Sequence, residues 1–213
     1  MAEDPSASAI EGLPAGAWQL PPHARVTPAE RGSLGLVARV VLRLARRRTG
    51  AAYDYNVVRT FARLGGIFPA HALFLSQLLF KGRLSRTEKE LVILRVAWRR
   101  GCAYEWAHHV DLAIGLAVAD NRIDAMSRED ADVGDPRLRA LIQAADELVA
   151  AGTLTDEAWS RLRDHCSPEE AMELCLLVGH YVMVAMTINA VGIQLEEQAT
   201  EALRARARAR AQR

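Results

Sequence analysis

Cysteine, strand-type alternation, internal repetition and charge imbalance are all scarce in this sequence, and each scarcity removes a class of protein. Only three cysteines (Cys102, Cys166 and Cys175) occur in 213 residues. They lack zinc-ribbon spacing and cannot all pair within one chain, which excludes a disulfide scaffold and fits a reducing cytosol. Lysine plus arginine (27) nearly balances aspartate plus glutamate (26), for a formal charge of +1. That balance gives no reason to expect nucleic acid as a partner. No period-2 segment bounded by hairpin turns is present, so no strand is expected. No repeat of solenoid length is present either. The opening MAEDPSASAIEG has neither the basic start nor the apolar stretch of a signal peptide. The one long apolar run, Met172 to Leu195, carries Glu173, His180, Asn189 and Gln194. Those groups are costly in lipid, so the run reads as a buried core helix without stable membrane insertion.

What remains is ordinary globular composition, half apolar and a quarter charged, in a chain long enough for one sizeable domain. Helix signals punctuate it. Residues 1–27 read as a flexible or loosely docked leader. Thr27-Pro28 is expected to cap and open a basic amphipathic helix reaching Arg48. Val37, Val40, Val41 and Leu44 share one face of it, with Arg39, Arg43, Arg46 and Arg47 elsewhere. Such a helix docks on the core or on another subunit; an anionic membrane surface is the alternative. Helices are expected next from Tyr55 to Leu64 and from Pro69 to Phe80, broken by Gly65-Gly66. Ser85 with Glu88 forms a capping box, and Arg99-Arg100-Gly101 ends that helix. A new helix opens at Cys102, and a short one follows near Asn121 to Met126. Asp135-Pro136, Thr155 and Ser167-Pro168-Glu169-Glu170 begin three more; Gly152 and Gly192 are stops. The Ala/Arg-rich tail, 197–213, alternates Ala and Arg from Ala202 onward, which winds arginine around every side of a helix, and is expected to be solvated.

Reactive residue types crowd together only in Gly101-Cys-Ala-Tyr-Glu-Trp-Ala-His-His109. At about 100° per residue, Glu105 lies about 60° and His109 about 20° from Cys102, one face over two turns. His108 falls about 120° away, as a neighbour or subunit contact. Tyr104 points to the other side. A helix N-terminus favours thiolate at Cys102, while a carboxylate at Glu105 opposes it. His109 is placed to take or return a proton. Glu105-x-x-His108 has the spacing of a di-iron carboxylate motif, but no second copy occurs, so no metal and no cofactor is expected. On the last long helix Glu173, His180 and Thr187 recur every seven residues as a polar stripe.

The run Glu90-x11-Cys102-x2-Glu105-x3-His109 resembles the alkylhydroperoxidase D (AhpD) signature, Glu-x11-Cys-x2-Cys-x3-His. Leu91 to Ala97, the CAYEWAHH run, Gly179-His180-Tyr181 and Asn189-Ala190 resemble carboxymuconolactone decarboxylase family proteins. The resemblance spans residues 50–196 and implies a single-domain, all-α, AhpD-like orthogonal helical bundle. It implies that Glu90 and His109 relay protons, that Cys102 corresponds to the first cysteine of the family's pair, and that His180 lines a pocket. His108, Tyr104 and Trp106 are expected beside it. Glu105 stands where the second cysteine would be, which removes the dithiol cycle. The leading expectation is acid–base chemistry on a small organic acid, lactone or related metabolite. The alternatives are a single-cysteine peroxidase through Cys102 and a non-catalytic oligomeric binding protein. From its cysteine usage the chain is expected to be cytoplasmic, and by resemblance to assemble with itself as a trimer or hexamer.

Overall fold

The structure, a computed structural model, describes residues 10–131 and 133–212. The first nine residues of the expected leader and Arg213 lie outside the described residues. The chain folds into α1 (Leu36–Thr49), α2 (Asn56–Phe61), α3 (Ile67–Phe80), α4 (Arg86–Arg99), α5 (Ala103–Gly115), α6 (Asp120–Ala125), α7 (Pro136–Ala151), α8 (Asp156–Arg163), α9 (Pro168–Val191) and α10 (Glu197–Ala211). Short 3-10 turns lie at Arg31–Ser33 and Ala62–Leu64. No strand occurs among the described residues; one isolated bridge joins Gln19 to Cys102.

The local signals act as chemistry requires. Ser85 accepts from the Glu88 amide and Ser167 from the Glu170 amide, and each glutamate returns a bond to its cap residue. Each box satisfies helix-end donors that would otherwise be unmet. Asp135 and Thr155 cap α7 and α8 in the same way. Arg137 on α7 then ties both boxes together, bonding Glu88 at 2.6 Å and Glu170 at 2.8 Å.

α4 is the central rod. Leu91, Val92, Ile93, Leu94, Val96 and Ala97 have no exposed surface. It packs against α5, α7 and α9 in the main hydrophobic core. α9 is long and apolar enough to cross a membrane by composition, yet Leu174, Leu177, Val178 and Ala185 are buried in the fold. A second apolar cluster gathers α1, the α2 region, α3, Cys102, Tyr104, Val184 and Ile188. The functional cavity lies on this second cluster.

Three expectations change. No helix starts at Thr27: its carbonyl and hydroxyl accept from the Arg63 guanidinium, and α1 begins only at Leu36. α1 also buries Ala38 and Leu42 rather than Val37, Val40 and Leu44, which stay exposed. Packing against α2 and α3 sets that face. The tail forms α10, whose Ala199 and Leu203 are buried and whose Arg206 pairs with Asp111 on α5.

Residues 10–27 dock along the core. Trp18 packs on Trp106, Trp98 donates to the Ala15 carbonyl, and the Gln19 amide donates to the Gly101 carbonyl. Gly101 and Gly192 both have positive φ and lie directly under this segment. A Cβ at either would strike its backbone, so glycine is required twice over.

Charge is buried where it is paired. Arg95, 1% exposed, makes a two-pronged ion pair with Asp146 at 2.7 Å. Lys89, 2% exposed, bonds Glu173 at 2.8 Å and the Leu78 carbonyl. Glu173 also accepts from the Arg83 and Leu84 amides. Lys89→Met should destabilise the chain by about 3 kcal/mol by stranding a buried carboxylate. Adding Glu173→Gln should restore part of that loss in denaturant titrations. A double variant no more stable than the single one would refute this account.

Candidate active site

A cavity of about 380 Å³ opens between α1, α3, α4, α5 and α9. Its lining is mostly apolar, including Val41, Val58, Phe68, Leu75, Leu112 and Val184. Into it come Glu90 from α4, Tyr104, Glu105, His108 and His109 from α5, and His180 from α9. The structure therefore brings together six of the eight residues singled out from sequence.

His109 Nδ1 lies 2.6 Å from Glu90 Oε2. A carboxylate there holds the proton on Nδ1 and leaves Nε2 as the base. Tyr181, buried and also on the cavity wall, meets His109 edge-on at 5.2 Å. Burial pushes its phenol well above the usual tyrosine range, with Glu90 and Glu105 adding to the effect. It stays a hydrogen-bond donor.

Glu105 is 3% exposed, and neither carboxyl oxygen has a conventional hydrogen-bond donor. Its polar neighbour is the Cys102 thiol, a weak S–H donor. Burial pushes its carboxyl up to about 8, against a small opposing effect from Cys102. At neutral pH Glu105 is a protonated acid.

Cys102 is the N-cap of α5 and has no exposed surface. It is not among the cavity-lining residues; it lies behind them, under the Gln19 segment. Burial first, then Glu105, raises the thiol well above the ordinary cysteine value. Of the two opposed influences anticipated there, desolvation with the neighbouring acid prevails over the helix dipole. Cys166 is buried in the main core and Cys175 lies on α9; all three cysteines are free.

Trp106 does not line the cavity. It faces the main core and packs on Trp18, because the docked leader supplies an aromatic partner on that side. Tyr104, expected to point away, bonds Glu196 at 2.7 Å while its ring forms cavity wall. His108 Nε2 lies 2.9 Å from the same glutamate, inside a box made by Tyr53, Tyr55 and Tyr104. Glu196 also accepts from the Asn56 amide. Burial alone would raise its pKa, but the bonds from His108, Asn56 and Tyr104 outweigh it and lower it. This knot ties the start of α10 to α2 and α5. Of the polar stripe on α9, only His180 reaches the cavity: Glu173 is taken by Lys89, and Thr187 bonds the Met183 carbonyl.

Sequence reasoning missed His71, Tyr181 and Glu196. His71 had one visible signal, a lone histidine inside the apolar helix α3. Glu196 had none, because its partners lie about ninety or more residues away in sequence.

Residues 68–147 match the model of the Carboxymuconolactone decarboxylase family. The fold is similar to that of an uncharacterized peroxidase-related protein from Ralstonia eutropha, an alkylhydroperoxidase AhpD core. The TM-score is 0.75 at 20% identity, over 86% of this chain and 98% of that one. It is also similar to the debrominase Bmp8, with a TM-score of 0.71 at 19% identity over 85% and 97% of the two chains. In sequence it is 26% identical over 98 residues to the uncharacterized protein YdfG of Bacillus subtilis, covering 45% of this chain and 67% of that protein. Residues 68–147 thus carry the carboxymuconolactone decarboxylase family pattern, on a fold similar to that of the AhpD core. The structural likenesses, at these identities, are likenesses of fold.

The raised pKa of Glu105 has a consequence for stability. The unfolded chain loses this proton near 4.5, and the folded chain keeps it to about 8. Between those values the folded state binds more protons, so stability falls as pH rises through the window and levels off above it. The full effect is on the order of a few kcal/mol. Glu105→Gln should therefore raise Tm clearly at pH 9 and little at pH 4. An equal shift at both pH values would contradict the assignment.

Proposed function

We propose that this chain is a proton-transfer enzyme of its superfamily, acting on a small, mostly apolar and neutral organic molecule. His109, held by Glu90, is the general base, and protonated Glu105 is the general acid. The observation that carries this reading is one apolar cavity holding a carboxylate-backed imidazole and a neutral carboxylic acid together. Two titratable groups with opposite protonation at one pH are what a proton abstraction and return require. Isomerisation or lactone handling would use that pair. A lactone suits the cavity better than a free acid, since Lys89 on its wall is already bound to Glu173.

The thiol reading has less support. A nucleophilic or peroxidatic cysteine needs thiolate character and access. Cys102 has neither, and no second cysteine occupies position 105. A cytoplasmic setting accords with the free cysteines.

The activity can be sought as solvent-deuterium exchange or conversion, followed by proton NMR, across small neutral lactones, enones and halogenated heteroaromatics. Wild type and Cys102→Ser should act on the same compound within a few-fold in rate. His109→Ala should lose about two to four orders of magnitude. The wild-type rate should fall as pH passes about 8 and Glu105 loses its proton. The opposite ranking of the variants, or a dimedone adduct on Cys102 under excess organic hydroperoxide, would favour the peroxidase instead.

Self-association is part of the proposal. Met172, Leu176, Met183 and Met186 on α9, with Leu73 and Phe74 on α3, expose large apolar side chains. Clustered exposure of this kind marks interfaces. Light scattering after size exclusion should give a mass above the 23.4 kDa chain. A monomer at micromolar concentration would remove this part of the reading.

A further inference from the structure

Two imidazoles on the α3 and α9 walls of the cavity, His71 half-buried and His180 buried, take no part in the proton transfer proposed above. His71 and His180 lie with ring centroids 5.0 Å apart and an angle of 17° between planes. Neither Nε2 atom has any hydrogen-bond partner in the protein, and both are shielded from solvent. His180 as a whole is 6% exposed. Carbon surrounds the pair: Phe61 lies 5.3 Å from His71, Phe74 5.4 Å from His180, and Tyr181 5.5 Å from His180. Buried polar nitrogens in a fold are ordinarily matched, so an unmatched pair on a cavity wall points to a group brought in by a ligand.

We infer that His71 and His180 form a recognition subsite for the hydroxyl of a neutral, otherwise apolar molecule such as a phenol or an enol. This rests on the cavity being the substrate site, and it names the polar head that the substrate presents. A neutral imidazole offers one N–H and one lone pair. With opposite tautomers, the two Nε2 atoms present one donor and one acceptor. A hydroxyl supplies the complement of both from a single oxygen.

Charge on the ligand is disfavoured by the surroundings. Burial lowers the pKa of His71. Burial and then the neighbouring His71 lower that of His180 to about 4. Both rings are neutral at physiological pH and give an anion no counter-charge. Lys89 is bound to Glu173, and Glu90 is bound to His109.

The subsite can be tested by binding alone, with the full chain at pH 7 and 4-ethylphenol, 4-ethylanisole and 4-ethylbenzoate as probes in titration calorimetry. The phenol should bind about tenfold more tightly than the ether, the worth of one well-made hydrogen bond. It should also bind more tightly than the carboxylate. His71→Phe and His180→Phe should each bring phenol and ether to within twofold, whereas His109→Ala should keep the preference. In the unaltered protein, side-chain ¹⁵N resonances of His71 and His180 should shift on adding the phenol, a readout that needs no variant to fold. No binding by any probe, equal binding by all three, or a preference lost in His109→Ala but kept in His180→Phe overturns the inference. Failure of the two proposals is distinguishable. An intact hydroxyl preference without proton transfer defeats the catalytic reading alone. Proton transfer with a preference untouched by either Phe variant defeats the subsite alone.

Discussion

Glu105 sits in a place that water does not reach, with a thiol as its nearest polar group and no cation to offset its charge. Desolvation of this one carboxyl sets the character of the cavity. An ionised carboxylate there would be expensive, so the proton stays and the group becomes an acid. The same low dielectric works first against a thiolate at Cys102, and the charge of Glu105, once ionised, adds to it. Burial, with His71 beside it, likewise lowers the pKa of His180 to about 4. Glu90 and His109 are instead each other's partner, as are Glu196 and His108.

The scaffold treats charge differently from the cavity. Arg95 with Asp146, Lys89 with Glu173, and Arg137 with Glu88 and Glu170 are buried or half-buried ions whose bonds are largely made within the protein. Such groups are costly when unpaired, and their geometry joins particular helices: α4 to α7, α4 to α9, and α7 to both capping boxes. On the cavity wall, by contrast, both Glu105 oxygens and the Nε2 atoms of His71 and His180 have no conventional hydrogen-bond partner within the protein.

Helix boundaries from α4 to α9 were legible because caps are local. Ser85, Asp135, Thr155 and Ser167 each bond within three residues, so the signal and its partner share a short window. Thr27 failed as a cap because Arg63, 36 residues away, took its oxygens. The tail was misjudged for a similar reason. Alternating Ala and Arg has no apolar face of its own, but Leu203 and Ala199 pack once α5 and the leader are beside them. Helical periodicity placed Cys102, Glu105 and His109 on one face, and the motif spacing added Glu90. Neither could show that the leader crosses over Gly101, pairs with the Cys102 backbone and helps leave that residue with no exposed surface.

What the sequence determined by itself is therefore the all-helical architecture, most helix ends and the shared face of Cys102, Glu105 and His109, which follow from bonds and angles repeated within a few turns. Glu90 joined that set through the family resemblance. Only the tertiary structure decided which of these groups meets solvent, which meets a charge and which meets nothing. Protonation at Glu105, the burial of Cys102, the turn of Trp106 toward Trp18 and the pairing of His71 with His180 all depend on dielectric and neighbours. Those come from segments brought together across the fold, and no short window of sequence contains them.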